Sequence, residues 1–182
     1  MDDLAYYDLE RYLFETVSVR FAADEEISTF DFFCIVVWKA NRAKSRVAAR
    51  LMKRNPELDL AVQQLVTEVR SAENAAARLK VLMVDWGFRL PMASAILTVF
   101  YPDEFTIYDV RACEQLGNHH KLADIWDFGR LWEGYQGFVA AVQAAVPDHL
   151  SLRDKDRVLW ARSFRQQLEA DTKRRFGVGA EL

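Results

Sequence analysis

Apolar side chains recur three and four residues apart along nearly the whole chain, the spacing of helices with one buried face. Residues 3–22 place Leu4, Tyr7, Leu9, Tyr12, Leu13, Thr16, Val17 and Phe21 on such a face. A second helix is predicted over 25–41, capped by Asp24, with Ile27, Phe30, Phe33, Cys34, Val37 and Trp38 inward. A basic helix follows near 44–54. Asn55-Pro56-Glu57 combines a capping Asn, a Pro at the first helical position and an acid at the positive helix end, and predicts a helix to about Ala72.

The next stretch, 73–85, is helical and stops at Gly87, a residue suited to a helix C-terminus. Pro91 opens a helix through Tyr101, and Pro102-Asp103 ends it. Residues 104–108 are extended by composition but too short for a sheet. Asp109 begins a helix to Gly117, and 118–127 is a loop. A helix over 128–146 has Leu131, Trp132, Tyr135, Phe138, Val139 and Val142 on its apolar side. Ser151 to Asp154 is a capping box that opens a long last helix, predicted to fray near Gly177. The pattern predicts an all-α chain of about eight or nine helices. Residues 1–182 read as a single all-α domain, either one body or two helical lobes with a cleft between them.

Composition fits that picture. The chain has 182 residues, 51% hydrophobic and 28% charged, enough for a real core. No apolar run approaches the roughly 20 residues of a membrane span. The acidic start, "MDDLAYYDLERY", is wrong for a signal or transit peptide. Cys34 and Cys113 lie within helical patterns and read as reduced core thiols, so a cytoplasmic protein is expected. No phosphate-binding glycine loop or metal-ligand spacing is present, and neither cofactor nor metal is expected.

Net charge is −3, but the charges are segregated. Residues 38–55 carry Lys39, Arg42, Lys44, Arg46, Arg50, Lys53 and Arg54 and no acid. The last helix adds Arg153, Lys155, Arg157, Arg162, Arg165, Lys173, Arg174 and Arg175 against four acids. Such polarity presents a cationic face on an acidic protein, or simply a solvated helix surface.

The stretch from Trp86 to Gly117, "WGFRLPMASAILTVFYPDEFTIYDVRACEQLG", reads as turn, helix, short link, aspartate, helix. It resembles the core of the helix-hairpin-helix (HhH-GPD) DNA glycosylase superfamily, with the hairpin at about 73–101. The matching residues are Pro91, Ala93 and Ala95, then Asp109 and Arg111 in the pattern of aspartate, any residue, basic residue. "WKANR" (38–42) and "LRDKDRVLW" (152–160) resemble a divergent bacterial branch similar to 8-oxoguanine DNA glycosylases.

The resemblance implies base excision from double-stranded DNA carrying a damaged or modified base, oxidised purine by analogy, in a bacterial cytosol or nucleoid. Asp109 would be the catalytic carboxylate, stabilising an oxocarbenium-like sugar or activating water. Trp38, Phe88, Tyr108 and Trp160 would wall the pocket for an everted base. Lys39, Arg42, Gly87, Arg89 and Arg111 would contact DNA. The hairpin turn has one glycine, Gly87, where the family has a pair, and Arg111 stands where many members have His. Met92, Ala93 and Ser94 occupy the region where bifunctional members carry a Schiff-base lysine, which implies a monofunctional glycosylase.

The bland readings are a plain N-cap for Asp109, core packing for Trp38, Trp160 and Cys113, and a solvated surface acid for Glu104. Lys39 and Arg42 read as one turn apart on one helix face. Asp156 reads as a surface ion-pair partner of Arg153 or Arg157, and His119 and His120 as loop residues. The alternative function is a non-catalytic helical module that binds DNA or a protein and has kept the glycosylase fold.

Overall fold

A computed structural model describes residues 3–175, and every regular element among them is helical. The predicted fraying near Gly177 lies outside the described residues. No described helix is long and apolar enough to cross a membrane. The chain divides into two compact units, Met1–Ile107 and Tyr108–Leu182.

The first unit begins with a 3-10 turn, Asp3–Tyr6, and helix α1, residues 9–22. Asp8 starts α1 by accepting the Arg11 N–H at 3.0 Å. That cap leaves Leu4 and Tyr7 outside the helix, 75% and 91% exposed, and corrects their predicted place on its apolar face. The middle of α1, Leu13–Val17, widens into a π turn. Helix α2, Thr29–Ala40, starts at Ser28, later than the predicted Asp24. Ser28 and Asp31 close a reciprocal capping box, while Asp24 takes a left-handed φ of 59° in the turn before it. The later start re-phases the buried face. Phe32, Cys34, Ile35 and Val36 point inward, and Phe30 is exposed.

Helix α3, Lys44–Leu51, buries Val47 and Leu51. Helix α4, Leu58–Ser71, begins after Pro56. The Asn55 side chain accepts the Glu57 N–H at 3.0 Å and holds Pro56 in a turn, so Pro56 is not the first helical residue. Helix α5, residues 75–85, is capped by Asn74 and ends in a π turn, Val81–Asp85. Helix α6, Leu90–Phe100, carries a proline in its first turn, where a missing N–H costs nothing. Its side chains from Ala93 to Phe100 are all buried, as expected of a helix that is apolar on every side. Helices α1, α2 and α5 pack around it. Its buried hydroxyls are satisfied locally: the Thr98 hydroxyl donates to the Ser94 carbonyl at 2.8 Å. Phe21 of α1 stacks on Phe100 with ring centroids 4.1 Å apart.

The second unit holds α7, Val110–Leu116; α8, Phe128–Ala144; and α9, Leu152–Arg175. Gly117, at φ 71°, ends α7. Asp127 caps α8 and Ser151 caps α9, each accepting the N–H three residues on, at 2.8 and 3.1 Å. Cys113, Leu122, Leu131, Tyr135, Phe138, Val142 and Leu159 form the core. Two charged residues of α9 are also inside. Lys155 donates to the Gln143 carbonyl at 2.7 Å, a cation at the negative end of α8. Asp156 is buried in an ion pair with Arg153. The surface ion pair predicted from sequence is therefore an interior one. Beyond Ser163 no described residue of α9 is buried.

Candidate functional site

The hairpin is built as its residue types demand. At the end of α5 the Trp86 N–H reaches the Val81 carbonyl and the Phe88 N–H the Leu82 carbonyl, both at 2.9 Å. Between them Gly87 takes φ 68°, a conformation that costs a residue with a Cβ roughly 1–2 kcal/mol. Trp86 is buried and donates its indole N–H to Glu68 at 2.6 Å. Phe88 is buried as well. Gly87 and Arg89 remain exposed at the tip.

Two arginines that the sequence reading did not single out cover this turn. The Arg50 guanidinium lies over the Phe88 ring, 5.6 Å from its centroid, and that of Arg54 lies 5.4 Å from the centroid of Trp86. Arg54 also donates to the Asp85 carbonyl. Their one-turn spacing was visible in the chain. Their destination, more than thirty residues downstream, was not.

Asp109 is the N-cap of α7, with extended backbone angles of −139° and 147°. Its carboxylate accepts the Arg111 N–H at 2.9 Å and is half-buried. The Arg111 side chain crosses to α9. It donates to Gln167 at 2.7 Å and lies 5.2 Å from the Trp160 ring centroid. Trp160 stacks on Phe164 at 5.5 Å with 9° between the planes, and both rings are nearly half exposed. Phe164 was overlooked in the sequence, although its spacing of four from Trp160 is the signal for a shared helix face. Glu114, one turn after Arg111, accepts from Ser163 at 3.0 Å and Gln167 at 3.2 Å, so α7 and α9 meet through a polar network.

Asp109, Arg111 and Trp160 are thus linked within the second unit. Tyr108 belongs to the same unit but turns inward. Its ring packs edge-on to Phe138 at 5.3 Å, and its hydroxyl donates to the His119 carbonyl at 2.6 Å. Burial pushes the phenol up to about 12. His119 is therefore more than a loop residue: at φ 68° it presents that carbonyl, its ring lies 5.6 Å from Phe138, and burial lowers its basicity. Cys113 is buried, and burial raises its thiol pKa.

Trp38, Lys39, Arg42, Phe88, Gly87 and Arg89 lie in the first unit. Trp38 is half-buried against Phe14 at 5.7 Å. Lys39 is on α2, whereas Arg42 is exposed in the 3-10 turn Asn41–Ala43, because the helix ends at Ala40. They do not share one helix face as predicted. Glu104 is not merely solvated, since both its oxygens accept from Arg78 at 2.8 Å. Among the described residues no group of three His, Cys, Asp or Glu side chains gathers to hold a metal. Comparison with family models, curated proteins and solved structures gives no match.

Proposed function

We propose that this chain is a monofunctional DNA base-excision glycosylase with Asp109 as its catalytic carboxylate. The observation that carries the reading is the fixation of that group. Asp109 is held by a backbone N–H at a helix start, is half-exposed, and lies two residues from an arginine packed on an exposed aromatic pair. A fixed carboxylate stabilises the positive charge that develops on the sugar as the N-glycosidic bond breaks, and it orients water for attack. The half-exposed rings suit contact with a base taken out of the stack. A helical hairpin with an exposed, arginine-flanked glycine turn suits a phosphate backbone. With Met92, Ala93 and Ser94 in place of a lysine, release stops at the abasic site. Oxidised purine is the first substrate to test, and a bacterial cytosol or nucleoid the expected place of action.

A second reading, a non-catalytic DNA-binding module, is favoured by the burial of Phe88 and Tyr108, two of the four expected pocket walls. A panel of duplexes, each with one damaged base, separates the two. The enzyme reading predicts release of at least one free base, lost in Asp109→Asn. Tight duplex binding with no release from any substrate would select the second.

A further inference from the structure

The outer face of α9 carries an apolar strip. Trp160, Phe164 and Leu168 follow one another at intervals of four residues and are 46%, 45% and 49% exposed. That spacing stacks them on one side of the helix. Arg111 reaches Trp160 from α7 and still leaves the ring nearly half open. Arg157 lies three residues before Trp160 and Asp171 three after Leu168, both exposed and both in phase with the same face. The intervals along the strip are therefore three, four, four and three, the same read from either end, with Phe164 at the centre. The two ends are opposite in charge. Ala161, exposed one turn before Phe164, is small enough for another backbone to approach. The inward side of α9 is a different one, where Lys155, Asp156, Leu159 and Ser163 are buried.

We propose that this strip is a self-association surface, and that its occupant is α9 of a second copy of the chain, running antiparallel. A two-fold axis demands a patch that complements itself, each residue meeting a partner that it also meets in return. The symmetric spacing satisfies that demand with the axis at Phe164. Phe164 then faces its own copy, Trp160 faces Leu168, and Arg157 faces Asp171, the last two pairs each formed twice. A parallel pair would set Arg157 on Arg157 and Asp171 on Asp171, and like charges repel. Charge complementarity thus selects both the partner and its direction. Arg157 pairs with Asp154 within its own helix, an exposed contact that a guanidinium shares with another carboxylate at little cost. The aromatic residues supply an apolar centre and the ion pairs a polar rim, as protein interfaces do. A contact one helix wide stays below roughly 1,200 Å² of buried surface, so the dimer is weak and reversible. Pairing rests on α9 alone and not on the function proposed above. It covers the rings that a glycosylase would offer to a base, so the two uses exclude each other and the monomer is the form open to DNA.

Sedimentation velocity across a micromolar-to-millimolar dilution series tests the pairing. The expected result is a monomer–dimer equilibrium that Phe164→Glu weakens at least about tenfold. Arg157→Asp and Asp171→Arg should each weaken it too, and the double variant, which exchanges the two charges, should return close to wild type. Where Phe164→Glu melts early, cross-linking at the exposed ends decides. Arg157→Cys mixed with a size-tagged Asp171→Cys should give a disulfide-linked heterodimer on a non-reducing gel, since the native cysteines are buried. Arg157→Cys alone should not link to itself, because the two equivalent positions lie about 20 Å apart along an antiparallel pair. A monomer at every concentration, a dimer indifferent to Phe164→Glu, charge reversal that the double variant fails to repair, or self-linking of Arg157→Cys would each overturn the proposal. The damaged-duplex panel run on the same proteins keeps the two proposals apart. A dimer that breaks as expected, without any base release, supports the pairing and rejects the glycosylase, and base release by a strict monomer does the reverse.

Discussion

The Arg111 N–H donates to the Asp109 carboxylate at 2.9 Å, while the Arg111 guanidinium lies over Trp160. One residue therefore anchors the candidate carboxylate through its main chain and ties α7 to α9 through its side chain. Capping and the proposed catalysis by Asp109 separate by mutation. Asp109→Asn keeps a good helix cap and should melt close to wild type while losing base release. Asp109→Ala removes the cap and should cost about 0.5–2 kcal/mol as well. Thermal melts alongside the release assay check both. Borohydride trapping with a damaged duplex should give no covalent adduct, and an adduct would refute the monofunctional assignment.

Tyr108 should reveal itself at alkaline pH. Burial disfavours its phenolate and places the folded pKa at about 12, above the ordinary 10.0. A raised folded pKa means that the stabilisation is intact below the unfolded value. It is lost as pH climbs through the folded one. Stability measured by denaturant should decline across that window, and Tyr108→Phe should flatten the decline. The same variant removes the donor to His119 and should cost about 0.5–1.5 kcal/mol at neutral pH.

Asp156 and Asp154, two residues apart, should behave oppositely. Asp156 is interior, and Asp156→Ala leaves Arg153 buried without its carboxylate, a loss of about 3–5 kcal/mol. Asp154 is nearly half exposed, and its pair with Arg157 is worth at most about 1 kcal/mol. Ser151 and Arg157 hold the Asp154 carboxyl below its ordinary value, so Ser151→Ala should raise it in an NMR titration.

Gly87→Ala tests the hairpin. The space beside Gly87 is sufficient, since the nearest atom would lie 3.5 Å from the new β-carbon. The positive φ is the obstacle, and a loss of roughly 1–2 kcal/mol is expected from chemical denaturation. A variant as stable as wild type would mean that the turn adopts another conformation.

What the sequence revealed and what it hid divides along physical lines. Helix α6 was legible because its apolar residues are contiguous and Pro91 marks its start. The Asp109 cap was legible because capping acts over two or three residues. The starts of α2 and α4 were displaced because the residue that reads as each cap lies in the turn ahead of the helix. Ser28 caps α2, and Asn55 holds Pro56 in its turn. The arginines over the hairpin and the buried Asp156 depend on partners or burial that tertiary packing supplies, and no local pattern encodes them. Charged residues are usually exposed, so an interior aspartate runs against the compositional expectation.

The exposed outer stretch of α9 has a practical consequence. Lys155, Asp156, Leu159 and Ser163 moor the helix in the core, Gln166 and Gln167 tie it to α7, and the described residues that follow are exposed. A cysteine placed at the exposed Ala170 and labelled with a dye would report from the surface of the helix without touching the core. Such a reporter would register the docking of a large polymer as slowed overall tumbling, in a molecule whose candidate site residues are all intact.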